Sequence, residues 1–178
     1  MSTETCPDLS TLPPDPSPRW STFDRWLRRI ASIAIAATAL AALAGVLGVR
    51  TATATSSADG YDLEVRYARV SRAGLETPFT IDVRAGSGRL PDSVTLRIDT
   101  AYLGIFDENG LDPQPASAFS DSVETEWTFD VPVQRGELSV DFDARLSPAV
   151  QWGREGRVVL VLDGEEVTSV VFKTWVMP

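Results

Sequence analysis

Hydrophobic and polar positions divide this chain into two regimes. From Ile30 to Val49 the sequence IASIAIAATALAALAGVLGV runs without a charge, whereas from Tyr61 onward apolar residues alternate with polar ones in steps of two. The first regime predicts a helix apolar on every face. At about 1.5 Å per residue, 20 residues cover roughly 30 Å, the thickness of a bilayer's hydrocarbon core. The eight Ile, Leu and Val residues of the run contribute about 2.4 to 4.8 kcal/mol toward insertion, against small penalties from Ser32, Thr38, Gly45 and Gly48. A core helix of a soluble domain would be apolar on one side only. The expectation is a single transmembrane helix over residues 30–49. Ala37, Ala41 and Gly45 have the spacing of a helix-packing face, but the run is so rich in small residues that composition alone produces it.

The second regime predicts strands. Tyr61, Leu63, Val65 and Tyr67 alternate with Asp62, Glu64 and Arg66, as expected where one sheet face is buried and the other wet. Phe79, Ile81 and Val83 repeat the period, then Val94, Leu96 and Ile98, then Val123, Thr125, Trp127 and Phe129. Leu138, Val140, Phe142, Ala144 and Leu146 give the longest clean alternation. A final pair, Arg157 to Leu162 and Glu166 to Trp175, flanks Asp163-Gly164, a dipeptide suited to the positive φ values of a tight hairpin turn. Seven strands and no second long helical pattern predict an all-β domain over residues 61–178, an immunoglobulin-like antiparallel β-sandwich. It has no internal disulfide, so Trp127, Trp152 or Trp175 is expected to supply core volume in its place.

The flanks of the apolar run set its expected orientation. Arg19, Arg25, Arg28 and Arg29 precede it and only Arg50 follows closely, which keeps the N-terminus cytoplasmic and the C-terminal domain extracytoplasmic in the cell membrane. Trp20, Phe23 and Trp26 stand where amphipathic rings suit the headgroup layer. A cleaved signal peptide is the rival: Ala52-Thr53-Ala54 offers small residues to a peptidase, but the run exceeds the usual h-region and nearly thirty residues precede it. Residues 1–29 read as a disordered, Pro-rich cytoplasmic tail with a basic juxtamembrane segment. Its Cys6, the single cysteine of the chain, reads as a free thiol. Residues 50–60, rich in Thr, Ala and Ser, read as a linker lifting the domain off the bilayer.

One long connection, Thr100 to Asp121, breaks the strand rhythm. A helical turn is expected over Ala101 to Phe106, ended by Asp107 to Gly110. Asp107, Glu108, Asn109 and Asp112 place four oxygen donors within six residues, the ligand type of a hard cation such as calcium. The glycine is fourth rather than sixth from the first Asp, so the spacing is not that of an EF-hand, and a solvated turn with Asx hydrogen bonds accounts for the same residues. The segments FDENGLDP (Phe106 to Pro113), RAGLETP (Arg72 to Pro78), SVDFDARLSPAVQ (Ser139 to Gln151) and KTWVMP (Lys173 to Pro178) resemble a family of bacterial single-pass membrane proteins with an immunoglobulin-like extracytoplasmic domain, found mainly in high-GC Gram-positive bacteria. The resemblance covers most of residues 61–178 and implies topology and fold, with no activity attached.

Charge and composition narrow the function classes. Residues 51–178 hold 21 acidic and 11 basic side chains, a net charge of −10, which repels nucleic acid. Acids such as Asp62, Glu64, Asp82, Asp141 and Asp143 are dispersed along strands, as on a solvated sheet face. The chain has no His and no Cys beyond residue 6, which removes catalytic triads, thiol chemistry and the usual zinc ligands. Ser169 and Lys173, four residues apart on an extended strand, stand more than about 10 Å from each other, too far for a Ser/Lys dyad. Glu124 and Glu126 lack a pocket to separate their pKa values. The expected catalytic set is therefore empty and the protein is not expected to be an enzyme. The remaining expectation is a membrane-anchored interaction or accessory protein, in contact with lipid through residues 30–49 and with another membrane or envelope protein. The alternative is a calcium- or carbohydrate-binding module with Asp107, Glu108, Asn109 and Asp112 as metal ligands.

Overall fold

In the computed structural model, which describes residues 18–43, 48–86, 88–132, 136–149 and 152–177, the chain forms two compact units, Met1–Leu47 and Gly48–Pro178. In chain order the elements are α1 (Pro18–Leu43), β1 (Arg50–Ala58), β2 (Tyr61–Arg72), β3 (Glu76–Ala85), β4 (Ser93–Asp99), α2 (Thr100–Leu103), β5 (Phe106–Asp112), β6 (Ser117–Ser120), β7 (Glu124–Asp130), β8 (Glu137–Leu146), β9 (Arg154–Leu162) and β10 (Glu165–Met177).

The first unit is described by α1. Pro18 opens the helix where its missing N–H is not needed. Arg28 Nη2 pairs with Asp24 Oδ2 at 3.1 Å, one turn apart, a contact worth a few tenths of a kcal/mol. The helix joins a basic first half to an apolar second half, and no helix among the described residues is long and apolar enough to cross a membrane. Only residues 30–43 of the apolar run are described as helical, about 21 Å at the helical rise. Residues 44–47, and the tail 1–17 with Cys6, lie outside the described residues.

The second unit confirms the all-β expectation and adds to it. All seven predicted strands form. The described residues contain three more, β1, β5 and β6. The segment 50–60, expected as a linker, is instead β1 and the turn joining it to β2. It pairs antiparallel with β2 from Arg50↔Val70 to Ala58↔Tyr61, and the chain reverses through Asp59 (φ 53) and Gly60 (φ 79). These left-handed backbones match the twist of a two-residue hairpin. Asp163 (φ 52) and Gly164 (φ 85) make the same turn between β9 and β10, as expected from their sequence.

Strands β5-β8-β3-β2 form one layer with β1 on β2, and β10-β9-β4-β7-β6 form the other. One seam joins them: after leaving β9 at Thr174, β10 pairs parallel with β2 from Trp175↔Val70 to Met177↔Arg72. The sheet therefore curls into a sandwich-like fold whose seam is parallel, where purely antiparallel pairing was expected. β8 shows why the layers pack: its residues alternate without exception between exposed and buried, so Leu138, Val140, Phe142, Ala144 and Leu146 all enter the core.

Aromatic rings fill the centre. Phe79 lies 5.6 Å from Tyr102, 5.7 Å from Phe142 and 5.9 Å from Phe172, ring centre to ring centre. Tyr102, carried inward by the short α2, is fully buried, and its hydroxyl exchanges a 2.9 Å hydrogen bond with Thr174 Oγ1. Burial holds its phenol well above the ordinary tyrosine range. Of the three candidate tryptophans only Trp127 is in the core, stacked on Phe142 at 5.8 Å. Trp152 is 78% and Trp175 51% exposed. Val123, expected on an inward strand face, is an exposed residue just before β7. An Asp121 carboxylate accepting from the Glu124 and Val123 backbone N–H groups organises that turn.

Candidate functional site

The first candidate surface is α1 itself. Phe23, Trp26, Leu27 and Ile30 recur at helical spacing and share one face, with Arg25, Arg28 and Arg29 opposite. From Ile33 onward apolar residues, the alanines included, occupy every face of the helix. Eight large apolar side chains between Phe23 and Leu43 are exposed, an apolar surface of the kind that marks an interaction site.

The second surface follows from the strand register of the β unit, which sorts charge between its two ends. Because β2 and β10 run parallel, both hairpin turns lie at one end. This acidic end carries Asp59, Asp62, Asp163, Glu165 and Glu166. Nearby, a groove of about 830 Å³ is lined by Asp112, Asp130, Glu137 and Asp141, with Arg84 among them. Arg84 is itself paired to Glu64 Oε2 at 3.3 Å, so the acids exceed the cations at this end.

The opposite end, where the chain enters at Arg50 and β10 finishes, has the other sign on its β1, β2 and β10 side. Arg50 and Trp175 are both register partners of Val70. Arg72 and Met177 follow on the same strands, Arg145 Nε donates to the Gly74 carbonyl at 3.2 Å, and Arg154 pairs with Thr174. The Lys173 ammonium lies 4.3 Å from the centre of the Trp175 ring, an exposed cation–π pair. Beside them a cleft of about 940 Å³ reaches from Asp99 and Val123 to Trp152, Arg154 and Glu155.

The calcium expectation meets a different geometry. Residues 106–112 are not a loop but the edge strand β5, paired with β8 from Phe106↔Leu146 to Asp112↔Asp141. A calcium loop wraps its ligands inward, whereas an extended strand spreads them. Asp107 and Asp112, both exposed, stand roughly 17 Å apart along the strand, and the side chains of Glu108 and Asn109 lie outside those described. Among the described residues no three His, Cys, Asp or Glu side chains gather closely enough to hold a metal ion. The expected helical turn does form, shorter than anticipated, as α2.

The two arrangements weighed for catalysis are also placed. Ser169 lies 3.5 Å from Arg157 Nη2, and Lys173 is committed to Trp175 further along β10. Glu126 pairs with Arg97 Nε at 3.2 Å. Arg97 also holds Glu166 at 2.8 Å, which makes this an ion-pair network on the outer face of β4, β7 and β10.

The outward ribbon of β10, with Lys173, Trp175 and Met177, went unrecognised as a surface in the sequence. Its alternation was legible, but the wet face of a strand rarely carries two large apolar residues. Searches against protein-family models and curated proteins give no match for this chain.

Proposed function

We propose that the protein is a membrane-attached interaction or accessory module, held by the apolar run 30–49 and displaying its β unit on the extracytoplasmic side. The observation that carries this reading is the exposed apolar surface of α1, which lipid covers at no cost and water does not. The basic, aromatic first half of the helix fits a headgroup layer, with rings on one face and arginines on the other. The all-round apolar second half fits the acyl region. The excess of arginine before residue 30 over the residues after it supports an N-terminus in the cytoplasm. The immunoglobulin-like reading of the β unit draws support from strand order: β2-β3-β8-β5 and β10-β9-β4 reproduce the A-B-E-D and G-F-C neighbours of that architecture. The acidic end is the surface offered to a partner, one whose own face is basic.

Flotation of the full chain with vesicles after an alkaline carbonate wash tests attachment, and protease added to intact cells tests sidedness. Attachment predicts co-flotation and digestion of residues 61–178 from outside. A chain left in the soluble fraction, or a β unit cut only after lysis, refutes the reading.

A carbohydrate-binding role has one observation in its favour, the exposed Trp152 ring at the rim of a cleft that also offers Asp99, Arg154 and Glu155. An aromatic face beside polar groups is the chemistry that stacks and hydrogen-bonds a sugar ring. Glycan-array binding by the wild type that is lost in Trp152→Ala would support it.

A further inference from the structure

We propose that the Arg50 end of the β unit seats directly on an anionic bilayer surface, with Leu75, Trp152, Trp175 and Met177 in the headgroup layer. The proposal rests on the membrane attachment proposed above and adds which face of the β unit meets lipid.

Three observations carry it. The first is connectivity. β1 begins at Arg50, directly after the apolar run ends at Val49, and it is held by nine register pairs to β2. The chain therefore enters the β unit at this end.

The second is the composition of that end. Leu75 is 44%, Trp152 78%, Trp175 51% and Met177 41% exposed. They sit together: the Gly153 backbone beside Trp152 abuts Trp175, and the turn carrying Leu75 joins β2 to β3 immediately after Arg72. Tryptophans with one polar edge belong at the level of lipid headgroups.

The third is charge. Arg50, Arg69, Arg72, Arg145, Arg154 and Lys173 stand at this end, all exposed, against Glu76 and Glu108, the register partners of Arg145, Glu155, the register partner of Lys173, and Asp99 in the cleft beside Arg154. The net charge of −10 over residues 51–178 would argue against an anionic surface if it were spread evenly. It is not. The hairpin turns and their acids lie at the far end of β2, twelve residues and roughly 40 Å away. The Debye length at physiological salt is about 8 Å, so a surface at the Arg50 end is screened from those acids and meets first Arg50, Arg69 and Arg72, which have no acidic register partner among the described residues. The same clustering disfavours a second copy as the occupant, since two such ends would bring like charges together.

The test uses the full chain with Cys6→Ser and a single NBD-labelled cysteine at Met177→Cys or, at the opposite end, Glu165→Cys. Each is reconstituted into vesicles of phosphatidylcholine with phosphatidylglycerol, containing spin-labelled lipid as a quencher from within the membrane. The label at 177 should shift to the blue and be quenched, and the label at 165 should be unaffected. Adding Arg72→Glu and Lys173→Glu should weaken seating by at least about 25-fold, at roughly five-fold for each basic residue lost, and abolish quenching at 177, while circular dichroism shows an intact fold. Equal quenching at 177 and 165 overturns the proposal, as does quenching at 177 that survives the charge reversals or needs a second protein. Flotation of the same samples separates the two levels. A chain that floats but leaves residue 177 in water refutes the seating alone, and a chain that does not float refutes both seating and attachment.

Discussion

Gly156→Ala tests whether the centre of the β unit is as tight as its geometry implies. Gly156 is buried in β9, and a Cβ added there would lie 2.6 Å from Cγ and 2.7 Å from Cδ2 of the Tyr102 ring, with Phe172 Cε2 at 3.1 Å. Carbon atoms in contact prefer about 3.5 to 4.0 Å, so the ring must retreat by roughly 1 Å. It has nowhere to go. Phe79 and Phe106 stand 5.6 Å from it and Phe172 5.0 Å, ring centre to ring centre, and its hydroxyl is tied to Thr174. Overpacking of this kind costs about 1 to 3 kcal/mol. If the ring moves enough to break the Thr174 bond, two buried hydroxyls lose their partner at about 1 to 3 kcal/mol more. The expected loss is about 2 to 5 kcal/mol, read from urea unfolding of residues 48–178 followed by tryptophan fluorescence. Tyr102→Ala is itself destabilising, but it empties the space the new methyl needs. The double variant should therefore be less damaged than the sum of the singles, a coupling expected only between groups in contact. A Gly156→Ala protein within about 0.5 kcal/mol of wild type, or strict additivity with Tyr102→Ala, would refute the argument.

Gly60→Ala should destabilise the β unit by about 1 to 2 kcal/mol, because φ 79 is a left-handed conformation that a Cβ disfavours; a fragment beginning at Tyr61 should melt lower and aggregate more readily than one beginning at Gly48, since it bares the β2 edge. The Asp121 carboxyl is held below the ordinary aspartate range by the Glu124 and Val123 backbone N–H groups. The unfolded chain therefore binds the proton first on acidification, so the contribution is full at neutral pH and is lost as pH falls through the lowered folded value. Asp121→Asn should flatten the acid limb of the melting-temperature profile, and an NMR carboxyl titration of the wild type should place Asp121 below the ordinary range. Calcium should leave the melting temperature of residues 48–178 unchanged, because β5 holds Asp107 and Asp112 too far apart to share an ion; a rise would show that the edge strand rearranges to bind.

How much of this was legible depended on burial. β8 could be read residue by residue because it has a neighbour on either side, β3 and β5, and a core beneath it, so every second residue must be apolar. β1 was missed although Asp59-Gly60 carries the same turn signal as Asp163-Gly164. Its alternating residues are Ala, Thr and Ser, and only half-buried positions result, so the period of two has little amplitude. β5 and β6 were illegible for a related reason. Each pairs with a single neighbour, and FDENGLD and SAFS satisfy an edge ladder through backbone groups that any sequence supplies. The calcium candidate arose from this blind spot: acids on an edge strand look like acids in a loop when the ladder cannot be seen. Tyr102 escaped notice because a four-residue helix has no periodicity to reveal which side faces the core.

The apolar run was legible from composition, and the strand that directly follows it was not. Residues 50–58 are not a linker but a strand committed to the ladder with β2, whose first pair is Arg50↔Val70. The same pair places the chain's entry beside Trp175, because Val70 is the register partner of both. The acidic end lies about 40 Å away along β2, so one strand register separates two surfaces of opposite character on the β unit, and reversing charge at either end tests that surface without disturbing the other.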